Sequence, residues 1–149
     1  MKSLKTPLRY PGGKSRVAKM LVDRLPKSFT EYREPFLGGG SVAIEFTKRY
    51  PDIPVWVNDK YVHLYNFWVQ LQERGEELSD LLCHFKNEYD TPDKARDLFL
   101  TARDQIDQTN ELMSAVYFWI MNKCSYSGLT ENSSFSPQAS NQNFTLRGA

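Results

Sequence analysis

The 149-residue sequence is poor in the residue types that build disulfide frameworks and zinc sites. It contains two cysteines, Cys83 and Cys124, in no CxxC spacing, and two histidines, His63 and His84. Neither a disulfide scaffold nor a metal centre is therefore expected. Both cysteines are interpreted as buried thiols.

Long hydrophobic runs are also missing. The longest apolar stretch, residues 112–121, is interrupted by Ser114 and is half of the roughly 20 residues that a membrane span needs. The chain does not open with the charged and apolar regions of a signal peptide. With 40% apolar and 25% charged residues, its composition is that of an ordinary globular domain. We therefore expect a soluble, cytoplasmic protein that does not bind membranes.

The net charge of +1 is unevenly distributed along the chain. Residues 1–33 hold nine Lys or Arg against Asp23 and Glu31, which gives +7, and the remaining residues carry −6. A basic amino-terminal segment suits a polyanionic or phosphate-bearing partner. A charged run that is only a solvated surface is the alternative.

One stretch, Glu34-Pro35-Phe36-Leu37-Gly38-Gly39-Gly40-Ser41, joins a predicted strand to a predicted helix through three glycines. The strand is predicted over residues 32–36, and Ser41 is predicted to be the N-cap of the helix. Consecutive glycines let a main chain approach a ligand closely, and the helix N-terminus offers amide donors. A tight structural turn is equally consistent with these residues alone.

A second predicted strand, Val55-Trp56-Val57, ends in Asn58-Asp59. Asp59 lies nineteen positions after Gly40, close to the spacing at which a carboxylate accepts hydrogen bonds from ribose hydroxyls. A simple turn at the strand end is the alternative. Together with the glycine loop, the pattern favours a ligand that contains a nucleoside.

The amino-terminal loop holds Tyr10, Gly12, Gly13 and Lys14. Gly13-Lys14-Ser15 is not a P-loop, because that motif needs a glycine where this chain has Leu8 and a strand before it. We predict instead that this loop folds over the glycine loop, with Tyr10 stacking and Lys14 meeting a carboxylate of the ligand. An ordered surface loop without a ligand is the alternative.

Helical periodicity accounts for most of the remaining chain. The helix after the amino-terminal loop is predicted to bury four apolar residues, Val17, Met20, Leu21 and Leu25. Later segments with the same spacing are 64–71, which should end near Gly75, and 78–85, 95–106 and 111–123. The last is apolar nearly all round and is predicted to be buried.

From Cys124 onward the sequence becomes rich in Ser, Asn and Gln. Such a segment is a poor core. On composition alone it is either a flexible terminus or a binding surface.

Four blocks carry a family resemblance. They are Tyr10-Pro11-Gly12-Gly13-Lys14, Glu34-Pro35-Phe36-Leu37-Gly38-Gly39-Gly40-Ser41-Val42, Asn58-Asp59 and Asn122-Lys123-Cys124-Ser125-Tyr126-Ser127-Gly128-Leu129. In order and spacing they closely resemble the Dam-type (D12 class) adenine-specific DNA methyltransferases. The resemblance implies an α/β, Rossmann-like S-adenosylmethionine-dependent methyltransferase fold, with an incomplete sheet and an inserted helical DNA-recognition region.

The same resemblance implies what the protein acts on and where. S-adenosyl-L-methionine is the implied methyl donor, double-stranded DNA the implied partner, and the N6 amino group of adenine the implied acceptor. The implied setting is restriction-modification in the cytoplasm of a bacterium or a phage-infected host.

The resemblance also assigns residues. The implied cofactor-binding residues are Tyr10, Gly12, Gly13, Lys14, Glu34, Pro35, Phe36, Gly38, Gly39, Gly40, Ser41 and Asp59. The implied DNA-binding residues, on a polar hairpin loop, are Lys123, Tyr126, Ser127 and Asn132. An aromatic side chain at Tyr126 could fill the gap left by an extruded adenine. The implied domains are residues 1–75, the amino-terminal part of the cofactor-binding domain, and residues 76–149, the recognition insert.

One block of the family is missing from this chain. Family members carry an Asp-Pro-Pro-Tyr block that binds the adenine amino group and stacks on the flipped base, whereas Asp-Pro occurs nowhere here. We therefore predict no catalytic residue in this chain, which corresponds to about the first half of a complete enzyme. Methylation would need a downstream segment or a second chain.

Two alternatives stay open. The first is a non-catalytic DNA- or cofactor-binding protein derived from such an enzyme. The second is a nicotinamide-binding oxidoreductase, since Gly38, Gly40 and Ala43 satisfy the dinucleotide spacing. The second leaves Lys14 and Tyr126 unexplained.

Overall fold

The computed structural model describes residues 4–149, apart from the side chain of Glu131, so Lys2 of the basic segment lies outside the described residues. The chain divides into two compact units that meet between Lys60 and Tyr61. This division falls fifteen residues before the boundary expected from the sequence, because the long helix that begins at Val62 packs within the second unit. The functional assignment of the two parts stays a prediction.

The first unit is a small α/β structure. Its elements are α1 (Ala18–Asp23), β1 (Tyr32–Glu34), α2 (Ser41–Arg49) and β2 (Val55–Val57). The two strands pair in parallel, with Tyr32 opposite Val55 and Glu34 opposite Val57. Both predicted strands are therefore confirmed, although β1 ends at Glu34, two residues earlier than expected.

An aromatic cluster holds α2 against β1. Phe46 of α2 is fully buried, and its ring stacks on that of Tyr32 with centroids 4.3 Å apart. Phe29 and Tyr50 complete the cluster, with their ring centroids 5.0 Å apart. Aromatic pairs at such distances stabilise a fold beyond simple area burial.

Two sequence expectations for this unit are wrong. Met20 and Leu21 are 44% and 36% exposed, because α1 instead buries Ala18 and Val22, which lie one turn apart on its other face. The N-cap of α2 is Gly40 and not Ser41. Gly40 has φ = 69°, a left-handed conformation that glycine adopts without steric cost.

The second unit is helical. Its helices are α3 (Val62–Glu88), α4 (Pro92–Gln105), α5 (Glu111–Cys124) and α6 (Pro137–Asn143). The most buried is α5, against which α3, α4 and α6 all pack. The prediction that this helix is buried is confirmed. The predicted apolar face of α4 is confirmed too: its buried members are Ala95, Leu98, Phe99 and Ala102, and the C-cap residue Ile106 is also buried.

The break predicted near Gly75 is present. Residues Val62–Glu88 of α3 form two helical segments that join across a kink at Arg74, where φ is −136° and ψ is 38°. No proline lies in this stretch, so helix resumes directly after the one non-helical residue.

The polar carboxy-terminal segment is folded. Ser125 and Phe135 form an antiparallel bridge that closes a hairpin loop. Beyond it, Ser136 caps α6, and Phe144 is buried with its ring 6.0 Å from that of Trp119. The flexible-terminus alternative is therefore not what the structure shows.

Neither Cys83 nor Cys124 forms a disulfide in the part of the chain that the structure describes. Cys124 is buried as predicted, but Cys83 is only half-buried. It follows the buried Leu82 on α3, and one residue turns the side chain by about 100° around a helix. Within residues 4–149, none of the helices has the length and hydrophobicity of a membrane span.

Candidate cofactor site

The site begins where the two parallel strands end. The carboxyl ends of β1 and β2 lie at one edge of the sheet, so the chain leaving each strand enters the same region. The amide of Asn58 donates to the Glu34 carbonyl at 3.0 Å, and the amide of Leu37 donates to the Asn58 carbonyl at 2.9 Å. These bonds continue the strand pairing into both loops.

The glycine loop turns sharply between β1 and α2. Gly38 and Gly40 have φ values of 53° and 69°, in the left-handed region that favours glycine. The amide of Gly40 donates to the Leu37 carbonyl at 2.9 Å and closes the turn. The backbone therefore requires glycine at two of the three positions.

Asp59 fixes this loop from the neighbouring strand. Its Oδ2 accepts a hydrogen bond from the amide of Gly38 at 2.9 Å, and the residue is half-buried. The sequence motif indicated a ligand-binding role for this carboxylate. The bond to Gly38 is a further role, which the spacing alone did not reveal.

Tyr10 packs directly on the glycine loop. A Cβ added at Gly38 would lie 2.9 Å from Cε1 of Tyr10, and one added at Gly39 would lie 2.9 Å from its Cβ. Real Cβ atoms do not approach that closely, so these glycines make room for the tyrosine. The prediction that the amino-terminal loop folds over the glycine loop is confirmed.

The pKa of Tyr10 is raised, first by burial and then by the negative charge of Asp59. Its phenol therefore stays protonated and can donate a hydrogen bond at neutral pH.

Glu34 brings a second carboxylate to the same edge. It accepts hydrogen bonds from the Tyr32 hydroxyl, at 3.0 Å, and from the backbone amide of Ala43. Burial raises the pKa of Glu34, and both hydrogen bonds oppose that shift. The pKa of Tyr32 is also raised, by burial and then by the charge and hydrogen bond of Glu34.

These residues surround one cleft of about 330 Å³, here called the loop cleft. The predicted cofactor-binding residues that line it are Tyr10, Gly12, Gly13, Lys14, Glu34, Phe36, Gly38, Gly39, Gly40, Ser41 and Asp59. Pro35 is exposed and lies outside the lining. Leu37 and Val42, which belong to the same sequence block but were not among the predicted cofactor-binding residues, also line the cleft.

Two side chains at the loop cleft reach towards solvent. Phe36 is 83% exposed. Lys14 is also exposed, and its Nζ donates to the Gly12 carbonyl at 2.7 Å. Since an ammonium group has three donor hydrogens, this bond leaves Lys14 able to meet an anionic group. No group of three or more His, Cys, Asp or Glu within the described residues is placed to hold a metal ion.

The predicted DNA-binding residues lie elsewhere, in the second unit. Three belong to the hairpin loop, residues 125–135, which is closed by hydrogen bonds from the Tyr126 amide to the Ser134 carbonyl, at 3.1 Å, and from the Ser136 amide to the Cys124 carbonyl, at 2.8 Å. Tyr126 is 65% exposed, and Ser127 and Asn132 are also exposed.

Lys123 differs from the other three residues. It lies in the last turn of α5, is half-buried, and places its Nζ 5.1 Å from the ring centroid of Trp119. This cation–π contact holds the lysine against the buried helix.

Buried polar groups hold the inner side of the hairpin loop. The side-chain amide of Asn122 donates to the Gly128 carbonyl at 3.3 Å, and the amide of Thr130 donates to Oγ of Ser125 at 3.0 Å. Ser127 and Thr130 have φ values of 53° and 54°, which are unfavourable for residues other than glycine. Strained conformations of this kind persist where the surroundings over-determine them, and they concentrate at functional sites.

The strands, glycine loop and carboxylate of the first unit form an α/β structure with a cleft at the carboxyl ends of its two parallel strands. The family model of the D12 class N6 adenine-specific DNA methyltransferases matches residues 10–147, and the chain belongs to that family. The resemblance inferred from the four sequence blocks is confirmed.

Curated relatives agree with this membership. The chain is similar to the type II methyltransferase M.MjaIII of Methanocaldococcus jannaschii, with 26% identity over 133 residues that cover 82% of this chain and 46% of that protein. It is also similar to the type II methyltransferase M1.LlaDCHI of Lactococcus lactis subsp. cremoris, with 28% identity over 122 residues, 81% of this chain and 41% of that protein. The chain spans less than half the length of these relatives.

The geometry predicts that Gly38→Ala destabilises the first unit. A left-handed backbone costs a residue with a Cβ about 1–2 kcal/mol, and the new methyl group would also displace the Tyr10 ring. We expect faster amide hydrogen exchange in β1 and β2.

Gly75→Ala is the control, because a Cβ there meets no atom closer than 4.0 Å. In a Tyr10→Ala background, Gly38→Ala should destabilise the first unit less, because only the cost of the left-handed backbone remains. If Gly38→Ala destabilises both backgrounds equally, contact with the Tyr10 ring contributes nothing to its effect.

Proposed function

We propose that this chain supplies the S-adenosylmethionine-binding and DNA-recognition parts of a Rossmann-like DNA methyltransferase that acts on the N6 amino group of adenine. The observation that carries the proposal is the loop cleft, where residues from three separate sequence blocks, Tyr10, Gly38 and Asp59, meet around one concave site. Membership of the D12 family supports this assignment.

The groups lining the loop cleft match the chemistry of that cofactor. A carboxylate has about four acceptor positions, so Asp59 can accept hydrogen bonds from ribose hydroxyls while it holds the Gly38 amide. Lys14 would meet the carboxylate of the amino-acid end. The acidic Glu34 suits a ligand with ammonium and sulfonium groups. When bound, S-adenosylmethionine supplies an activated methyl group.

The hairpin loop is the proposed DNA contact. Its inner side is fixed by Asn122 and Ser125, and Tyr126 projects from it into solvent. An enzyme that modifies a base takes it out of the stack, and an aromatic side chain can occupy the space left behind. A loop that internal hydrogen bonds already hold in shape suits this task, because less conformational freedom is lost when its tyrosine enters the duplex.

No residue of this chain is proposed to be catalytic. The family's Asp-Pro-Pro-Tyr block has no counterpart here, since the dipeptide Asp-Pro is absent from the sequence. We propose that catalysis requires a downstream segment or a second chain that carries this block. The same absence favours, as the second candidate, a non-catalytic protein that binds the cofactor or DNA.

Asp59→Asn tests the cofactor site. Asparagine retains an oxygen for the Gly38 amide but removes the charge, so S-adenosylmethionine binding should weaken by about 1.5–3 kcal/mol as measured by calorimetry. Asp52→Asn changes an exposed acid in the turn before β2 and serves as the control. Equal affinities for Asp59→Asn and the parent would remove Asp59 from the site.

Tyr126→Ala tests the hairpin loop. Because Tyr126 is 65% exposed, its loss should change fold stability by less than about 0.5 kcal/mol but abolish most of the fluorescence rise of a duplex carrying 2-aminopurine at the target adenine. Tyr65→Ala, at an exposed tyrosine of α3, is the matched control. A fluorescence rise identical to that of the parent would contradict the intercalating role.

An assay of methyl transfer tests whether catalysis requires a downstream segment or a second chain. The purified chain, given S-adenosylmethionine and duplex DNA, should bind but transfer no methyl group above background. Addition of a polypeptide carrying an Asp-Pro-Pro-Tyr block from the same coding region should restore transfer. Methylation of adenine by this chain unaided would refute the proposed division.

A further inference from the structure

A second cleft lies beside the hairpin loop, and its residues on α4 have no individual role in the proposals above. It has a volume of about 350 Å³ and is lined by α4 and by residues at the end of the hairpin loop. Its lining includes Arg96 and Arg103 on α4 and Ser134 and Phe135 of the hairpin loop. We call it the arginine cleft.

The two arginines lie on one face of α4. They are seven residues apart, which is two helical turns and about 10 Å along the axis. The acid that also lines the cleft is Asp93, so the charged lining is two guanidinium groups and one carboxylate. Nε of Arg103 lies 3.9 Å from Oδ1 of Asp104, and both side chains are exposed, so this ion pair is weak.

The floor of the arginine cleft is apolar. Phe99, which lies between the two arginines in the sequence, is fully buried. Its ring centroid is 5.8 Å from that of Phe135. The stems of long arginine side chains can lie on such a surface while their charged ends stay in water. The two guanidinium groups therefore emerge from a defined surface and not from a mobile loop.

The arginine cleft and the exposed tyrosine share one structural element. The carbonyl of Ser134, a residue of the cleft, accepts the hydrogen bond from the amide of Tyr126 at 3.1 Å. A duplex that meets Tyr126 would therefore have its backbone close to α4. Guanidinium groups are the donors best matched to phosphate oxygens, and phosphate contacts fix a protein's register on DNA.

We propose that Arg96 and Arg103 bind phosphates of the DNA backbone beside the hairpin loop and so position the duplex for Tyr126. This inference rests on the proposed DNA-binding function and extends it to a second surface. The arginines contribute charge and orientation, and they read no base.

The salt dependence of binding tests the inference. Each phosphate contact adds about 0.9 to the magnitude of the slope of log K against log salt for B-form DNA. The double variant Arg96→Gln/Arg103→Gln, titrated into a fluorescent 30-base-pair duplex at several salt concentrations, should show a slope smaller in magnitude by about two. The variant Arg96→Lys/Arg103→Lys, which keeps the charges, should keep most of the slope.

A matched control removes two positive charges elsewhere in the same unit. Arg74 pairs with Glu77 at 2.6 Å, and Lys94 pairs with Asp90 at 2.9 Å. Lys94 lies about 200° around α4 from Arg96, on the opposite side of the helix. Arg74→Gln/Lys94→Gln should leave the slope within one unit of the parent value. Thermal unfolding of each variant checks that the fold is retained.

Each outcome has one meaning. A parental slope in the folded Arg96→Gln/Arg103→Gln variant overturns the inference and leaves the hairpin proposal intact. An equal loss of slope in the control overturns it too, because general charge would then explain the effect. A parent chain that binds no duplex at any salt concentration overturns the DNA-binding proposal itself, and this inference with it.

Discussion

The hydrogen bond from the Gly38 amide to the Asp59 carboxylate is the interaction on which the first unit depends most. The described sheet has two strands of three residues each, too little to position a ligand loop by strand pairing alone. One charge-assisted bond joins the end of β1 to the end of β2 across 21 positions of sequence. It fixes the glycine loop, the start of α2 and the carboxylate itself in a single arrangement.

The glycines of that loop have structural roles within the protein itself. Gly38 and Gly39 leave the space that Tyr10 occupies, and Gly38 and Gly40 adopt backbone angles that other residues resist. The amino-terminal block and the glycine block are thus parts of one packed site, although residues 15–33 separate them in the sequence. Packing against Tyr10 accounts for Gly38 and Gly39, and the left-handed backbone accounts for Gly40.

The sequence allowed prediction where local chemistry decides structure. Apolar spacing was enough for α4 and α5, and turn chemistry was enough for the glycine loop. Apolar spacing gave the wrong buried face for α1, where Met20 and Leu21 are exposed. A short helix can bury either of two faces, and only the elements packed against it decide which. Composition alone left the polar segment after Cys124 open between a flexible terminus and a binding surface. The segment is ordered by hydrogen bonds to the buried polar groups of Asn122 and Ser125, and such side-chain contacts leave no periodic pattern in the sequence.

Both candidate sites are held by the same kind of bond, in which a side chain of one element fixes the main chain of a loop. Asp59 holds Gly38 in the first unit, and Asn122 holds Gly128 in the second. Each bond lies between residues of the described chain, so contacts within residues 4–149 are enough to hold both loops in place.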